Sequence, residues 1–154
     1  TRRLPSIKKN LNYVVVRQHD LWWHDLLFLA EQAEKSGARP WIWSDYVWHH
    51  PDQFCEKMPK SVLQSNWYYD SAFNEDIDYV RAYSDLEAHG DDQVPTGSNH
   101  SVPENIQNTV AYFREHIPTE RLFGFMQTLW RPTLEAYREH HIQGIELAGQ
   151  ARAQ

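Results

Sequence analysis

The sequence predicts an α/β chain of about four successive βα units, the last half of an eight-stranded parallel barrel of the (β/α)8 TIM type. Three observations predict it. Three apolar runs end in aromatic and polar residues, as buried parallel strands do: Trp41-Ile42-Trp43-Ser44-Asp45-Tyr46, Ser61-Val62-Leu63-Gln64-Ser65-Asn66-Trp67-Tyr68-Tyr69-Asp70 and Phe123-Gly124-Phe125-Met126-Gln127-Thr128-Leu129-Trp130. Helical periodicity alternates with these runs every ~20 to 35 residues, the spacing of a parallel sheet with right-handed crossovers. A complete barrel takes roughly 200 to 250 residues. The chain has 154, so half a barrel is expected.

The elements follow in order. Asp20 can cap a helix in which Trp22, Leu26, Leu29 and Ala33 recur at helical spacing before Gly37 stops it, and Pro40 opens the first strand, Trp41 to Tyr46. A short helix near Asp52 to Lys57 leads to the second strand, Ser61 to Tyr69. Asn74 caps the next helix, with Glu75 and Asp76 in its first turn, and that helix runs to about Gly90. The polar segment from Asp91 to His100 stands where the alternation requires a strand and is assigned a short one. Ser101-Val102-Pro103-Glu104 reads as a capping box, followed by Ile106, Val110, Phe113 and Ile117 on one helical face. Leu122 to Trp130 is the last strand, and Leu134, Tyr137, His141 and Ile145 mark one face of a final helix. No linker or low-complexity tract interrupts the order, so residues 1–154 read as one domain or part of one.

Composition narrows the function. The net charge of -6 comes without a Lys/Arg stripe, which argues against nucleic acid as a partner. No segment approaches the roughly 18 apolar residues of a membrane helix, and the basic opening Thr1 to Lys9 lacks the apolar run of a signal peptide. The compartment stays open. Cys55 is the single cysteine, which rules out an intrachain disulfide and a thiolate metal cluster. Seven Trp and eight Tyr are a large aromatic load for this length, suited both to a core and to flat platforms for ligand faces.

Strand C-terminal ends are where barrel enzymes keep their sites. Trp43, Asp45, Trp67, Tyr68, Asp70, Asn99, His100, Gln127 and Trp130 fall at or just past those ends. Indoles with a few carboxylate and amide groups suit a sugar, whose C–H face stacks on a ring while its hydroxyls take fixed acceptors. The alternative for Trp43 and Trp67 is that they fill the barrel and its rim. Asp45, directly after an apolar strand, needs either a ligand hydroxyl or a neighbouring Arg or backbone donor.

Other chemistries find less support. His49-His50 and His140-His141 are adjacent pairs that point apart, and His19 and His24 are five apart, so no metal site and no cofactor is expected. There is no Gly-rich phosphate loop and no Gly-x-Ser-x-Gly elbow, and Cys55 lacks an obvious activating base. Glycoside hydrolysis takes two carboxyl groups roughly 5–10 Å apart or a substrate acetamide oriented by one acid. Asp45 and Asp70 near adjacent strand ends form no compact dyad in the sequence.

The segments Pro40-Trp41-Ile42-Trp43-Ser44-Asp45, Met58-Pro59-Lys60-Ser61-Val62-Leu63-Gln64-Ser65-Asn66-Trp67 and Gly124-Phe125-Met126-Gln127-Thr128-Leu129-Trp130 together resemble the second half of a glycoside hydrolase family 20 barrel, that of the β-N-acetylhexosaminidases. The resemblance spans about residues 20 to 148. It implies that Asp45, Trp67 and Trp130 line a sugar pocket and that the family's catalytic Asp-Glu pair would lie upstream of Thr1, leaving the catalytic residues unnamed in this chain. The chain departs from the family twice: Gly97-Ser98-Asn99-His100 stands where a Tyr-x-Asp is usual, and Arg131-Pro132 where a Glu follows the last Trp. Hydroxyl recognition is therefore expected to differ, with Tyr68 or His100 in the role of the missing tyrosine.

The expectation is a glycosidase-like half barrel supplying the sugar-binding wall. A non-catalytic carbohydrate-binding or interaction protein using the same face is its rival, and a barrel enzyme acting on another small polar substrate is the third reading. Unpaired strand edges and an exposed apolar inner face lead one to expect a homo-oligomer or pairing with a missing N-terminal half.

Overall fold

The computed structural model describes residues 18–153, so Thr1 to Lys9 lie outside the described residues. The chain divides into two compact units, one ending at Pro40 and one from Trp41 onward.

The first unit contains α1, Gln18–Lys35. Gly37, at φ 76°, ends it as expected, with the Ala38 amide reaching back to the Ala33 carbonyl at 3.0 Å. Trp23 and Ala30 are its buried residues, whereas Leu29, expected on the apolar face, is exposed. The buried stripe is thus offset by one residue from the one that Trp22, Leu26 and Leu29 suggest.

The second unit repeats strand and helix. In order it comprises β1 (Trp41–Trp43), a 3-10 turn (Asp45–Trp48), α2 (Pro51–Lys57), β2 (Leu63–Ser65), α3 (Asp78–His89), β3 (Thr96–Ser98), α4 (Asn105–His116), β4 (Met126–Thr128), a second 3-10 turn (Glu135–Tyr137) and α5 (Arg138–Arg152). β1 pairs with β2 and β3 with β4, both in parallel. Parallel bridges Gln64 to Gln93 and Trp67 to Thr96 join the second strand to the third. The strands therefore neighbour one another in chain order, which a crossover helix after each strand enforces. Among the described residues no strand pairs with the outer edges of β1 and β4, and no closed barrel forms. The strands are shorter than the sequence runs: β2 loses residues at both ends of the expected Ser61 to Tyr69, and β4 loses chiefly its start, Leu122 to Phe125.

Register partners in a parallel sheet point to the same side. Trp43 with Ser65, Trp67 with Thr96 and Ser98 with Thr128 define one face, and Ile42 with Gln64 and Gly97 with Gln127 define the other. The second face meets the helices. Ile106, Val110, Phe113 and Ile117 of α4 are all buried, as their spacing predicts. Tyr83, Phe113 and Ile117 form one cluster, with Tyr68 and Phe73 packed against it.

Helix starts differ from the capping signals. Asn74 closes an Asx turn onto the Asp76 amide at 3.1 Å, and α3 begins four residues later at Asp78. The Ser101 box is likewise spent on turns, and α4 starts at Asn105. On α5 the buried residues are Gly144 and Ala151, while Leu134 and Ile145 are exposed. The reason is close packing: a Cβ on Gly144 would lie 2.2 Å from Leu129 Cδ2, so the helix turns its small residues inward.

Gly97 shows the tightest strand–helix approach. A Cβ there would come within 2.9 Å of both Asn105 Oδ1 and the Ile106 Cα, a backbone atom that cannot swing aside. Gly97→Ala is expected to cost about 1–3 kcal/mol, read as a lowered urea midpoint with an unchanged slope; an unaltered midpoint would show that β3 and α4 separate freely.

Candidate functional site

The face at the C-terminal strand ends is held from beneath by buried amides. Asn66 receives the Trp48 indole N–H at 2.7 Å and donates to the Tyr79 carbonyl at 2.8 Å, while its backbone carbonyl accepts the Tyr83 hydroxyl at 2.9 Å. Asn105, also fully buried, accepts the Ser98 amide at 2.8 Å and donates to the Asp70 carbonyl at 2.7 Å. These two residues fix the loops after β1, β2 and β3 relative to one another. Each replaces water at a backbone group that would otherwise be buried unpaired.

Above them lies a run of rings. Trp67 stacks on Tyr69 with centroids 4.9 Å apart and planes at 22°, and meets Trp48 edge-on at 4.6 Å. Tyr69 in turn approaches Trp130, 6.3 Å away. Trp130 is 58% exposed and holds φ at 48°, a left-handed conformation that strains a bulky residue. Trp43 is 43% exposed on the same sheet face, and with Trp41 and Met126 it borders an open hollow of about 270 Å³. The Trp41 indole is tied down by donation to Ser65 Oγ at 2.7 Å, leaving its ring face bare.

Polar groups punctuate this surface at Tyr69. Its hydroxyl lies 3.2 Å from Thr128 Oγ1, and its ring lies beside that of Trp130. Burial raises its pKa above the ordinary tyrosine value, the Thr128 and Trp130 side chains oppose that rise, and the nearby Asp45 charge adds to it. Tyr69 is therefore a neutral hydroxyl at physiological pH. Asp45 is exposed, and its carboxylate has no hydrogen-bond or ion-pair partner among the described residues.

The sequence-derived residues separate into groups. Trp43, Asp45, Trp67 and Trp130 lie on or at the end of the aromatic face. Tyr68 turns the other way, edge-on to Phe73 and against the Tyr83 cluster, so its neighbour Tyr69 carries the hydroxyl to the face. Asn99 and Gln127 bond to each other at 3.2 Å, and Asn99 also donates to the His140 carbonyl at 3.0 Å, tying β3 and β4 to α5. His100 is exposed just beyond β3, its amide bonded to Ser98 Oγ at 3.0 Å. Asp70 is occupied by its own turn, accepting the Ser71 amide at 2.7 Å. Tyr69 and Thr128 are what sequence reasoning missed. Strict alternation from Trp67 is the signal for Tyr69, since residues two apart share a face.

Near the opposite, N-terminal strand ends, buried Asp91 takes His89 Nδ1 at 2.7 Å and Lys60 Nζ at 3.5 Å, while His89 Nε2 bonds to the Cys55 carbonyl at 2.8 Å. Cys55 itself is pushed up by burial and by the Asp91 charge, which keeps it a thiol. This cluster ties α2, α3 and the approach to β3 together. Among the described residues no His, Cys, Asp and Glu group is arranged to hold a metal ion, and no helix is long and apolar enough to cross a membrane. Comparison with family models, curated proteins and solved structures returned no match.

Asn66→Leu leaves the Trp48 indole and the Tyr79 carbonyl without their partner, at about 1–3 kcal/mol for each buried group. The expected outcome is a melting temperature well below that of the parent, together with loss of the near-ultraviolet dichroism of the Trp48–Trp67 pair; retention of both would remove Asn66 from its supporting position. Burial holds Tyr83 well above its ordinary value, so the unfolded chain loses that proton first as pH rises. Its contribution is complete below about pH 10 and declines above it. The melting temperature should fall across that range, and Tyr83→Phe should fall less steeply; parallel curves would contradict the assignment.

Proposed function

We propose that the strand-end face is a carbohydrate site and that the chain is the sugar-binding half of a barrel of the glycoside hydrolase family 20 type. The observation that carries this reading is the pairing of exposed, fixed indoles with an uncommitted carboxylate. Trp43 and Trp130 present ring surface to solvent, and Asp45 offers two acceptor oxygens near the Tyr69 hydroxyl. Sugar C–H faces take the rings, and vicinal hydroxyls donate to a carboxylate in a bidentate manner. The strained φ of Trp130 supports the same reading, since strain of about 1–3 kcal/mol is retained where geometry serves a site.

The parallel order of the strands, with a helix after each, supports the barrel reading, as does an inner face whose indoles remain uncovered. The hydroxyl that the family carries on its seventh strand is supplied in this proposal by Tyr69 from the preceding strand. Asp45 is the one uncommitted carboxylate on this face among the described residues. Hydrolysis would need a further carboxyl group on the opposite side of the glycosidic bond. That observation favours, as the second reading, a face that binds sugar without cleaving it.

Titration with a panel of hexoses and N-acetylhexosamines, followed by Trp fluorescence, tests the proposal. A saturable change is expected for at least one pyranose, weakened about tenfold or more by Trp130→Ala and by Asp45→Asn, consistent with one lost stacking or charge-assisted contact of about 1.4 kcal/mol or more. Melting temperatures of both variants should match the parent, because both positions are exposed. No response to any sugar would overturn the carbohydrate reading. Release of aryl aglycone by the full-length protein would decide for hydrolysis, and binding without release for the second reading.

A further inference from the structure

A second concavity lies on the helix-facing side of the sheet, away from the aromatic face. Its volume is about 450 Å³, within the roughly 300–1,000 Å³ typical of small-molecule sites. Its walls are apolar: Ile106 and Val110 from α4, Phe125 from the approach to β4, and Ala148 and Ala151 from α5. Ile106, Val110 and Ala151 form a buried cluster with Phe125 packed against it, so these walls are fixed by packing.

Two features of the lining are polar, and both are unspent. Arg114 on α4 and Arg152 on α5 border the cavity, and neither guanidinium has an acceptor among the described residues, although the chain carries more acids than bases. Gln127 donates through Nε2 to Asn99, yet its Oε1 is buried in the wall without a donor among the described residues. A wholly structural gap would be apolar throughout. Two cationic side chains bordering an apolar pocket match a ligand with an acidic head and a hydrocarbon body, since guanidinium binds carboxylate through two parallel hydrogen bonds.

We infer that this cavity between α4, α5 and β4 binds a small amphiphilic carboxylate, its head on Arg114 and Arg152 and its tail against Ile106, Val110, Phe125 and Ala148. Gln127 Oε1 then accepts a hydroxyl or amide proton from ligands that carry one on the chain. Specificity runs by charge sign and by chain volume. The site is independent of the sugar reading, because its lining shares no residue with Trp43, Asp45, Tyr69 or Trp130.

Calorimetric titration of the intact protein with decanoate, decanol and decylamine tests it. Decanoate should bind saturably at one per chain, at least about tenfold tighter than decanol, and decylamine should not bind, because one charge-assisted bidentate contact is worth that factor or more. Arg114→Gln/Arg152→Gln, at exposed positions, should reduce the decanoate preference to that of decanol. Ala148→Phe, which fills the cavity, should abolish binding, with its melting temperature reported beside the double variant as a check on folding. Equal binding of decanoate and decanol, undiminished binding in the double Gln variant, or no binding of decanoate would each overturn the inference. None of these outcomes bears on the fluorescence response to sugars.

Discussion

The Asn66 side chain, closed to solvent, accepts a hydrogen bond from the Trp48 indole and donates one to the Tyr79 carbonyl, while its backbone carbonyl accepts from both the Tyr83 hydroxyl and the Thr96 amide. Four segments of the second unit meet at that one residue: the turn after β1, the end of β2, the first turns of α3 and the start of β3. A hydrophobic side chain of the same size would leave the Trp48 indole and the Tyr79 carbonyl unpaired in a place water does not reach, which is the costly case for hydrogen bonding in a core. The loops after β1 and β2 are positioned from this buried amide, and Asn105 carries the tie on to β3.

The interface between sheet and helices is unusually polar. Gln64 accepts the Ser44 hydroxyl, Gln93 donates to the Tyr83 carbonyl, and Asn105 joins β3 to the loop after β2. Such bonds tie strands and helices into one arrangement, although Gln93 keeps its Oε1 without a donor among the described residues. With amides packed against the helices, many of the large rings go to the other side of the sheet. Trp41, Trp43, Trp67 and Tyr69 lie there or at its end, and two of these Trp residues remain half exposed. The uneven distribution of rings is thus a consequence of how the core is bonded, and it creates the surface on which a flat ligand can lie.

Much of this order was legible. The α4 face of Ile106, Val110, Phe113 and Ile117, the Gly37 and Gly90 helix ends and the weak strand at Thr96–Ser98 all follow from periodicity and turn chemistry. What escaped reading depends on contacts distant in sequence. Adjacent tyrosines at 68 and 69 look equivalent until the strand's alternation is fixed by its neighbours, and only then does Tyr69 face the site. Asn99 and Gln127 look like ligand-binding amides at strand ends, but α5 packs so closely through Gly144 that Asn99 bonds to the His140 carbonyl and to the Gln127 amide nitrogen, between elements. The α5 face was obscured for the same reason, because Gly144 and Ala151 are buried by proximity while larger residues stay outside.

The proposed site therefore rests on side chains whose positions are set by buried hydrogen bonds and whose own ring faces and carboxylate are left open. A ligand that uses this face must perturb the exposed Trp43 and Trp130. The most direct measurement is a nitrogen–proton correlation spectrum of the indole N–H groups of the seven tryptophans, assigned by substitution and recorded during titration with N-acetylglucosamine. Shifts confined to Trp43, Trp67 and Trp130 that saturate with a single constant are the predicted result. Unmoved signals at all three would contradict the account.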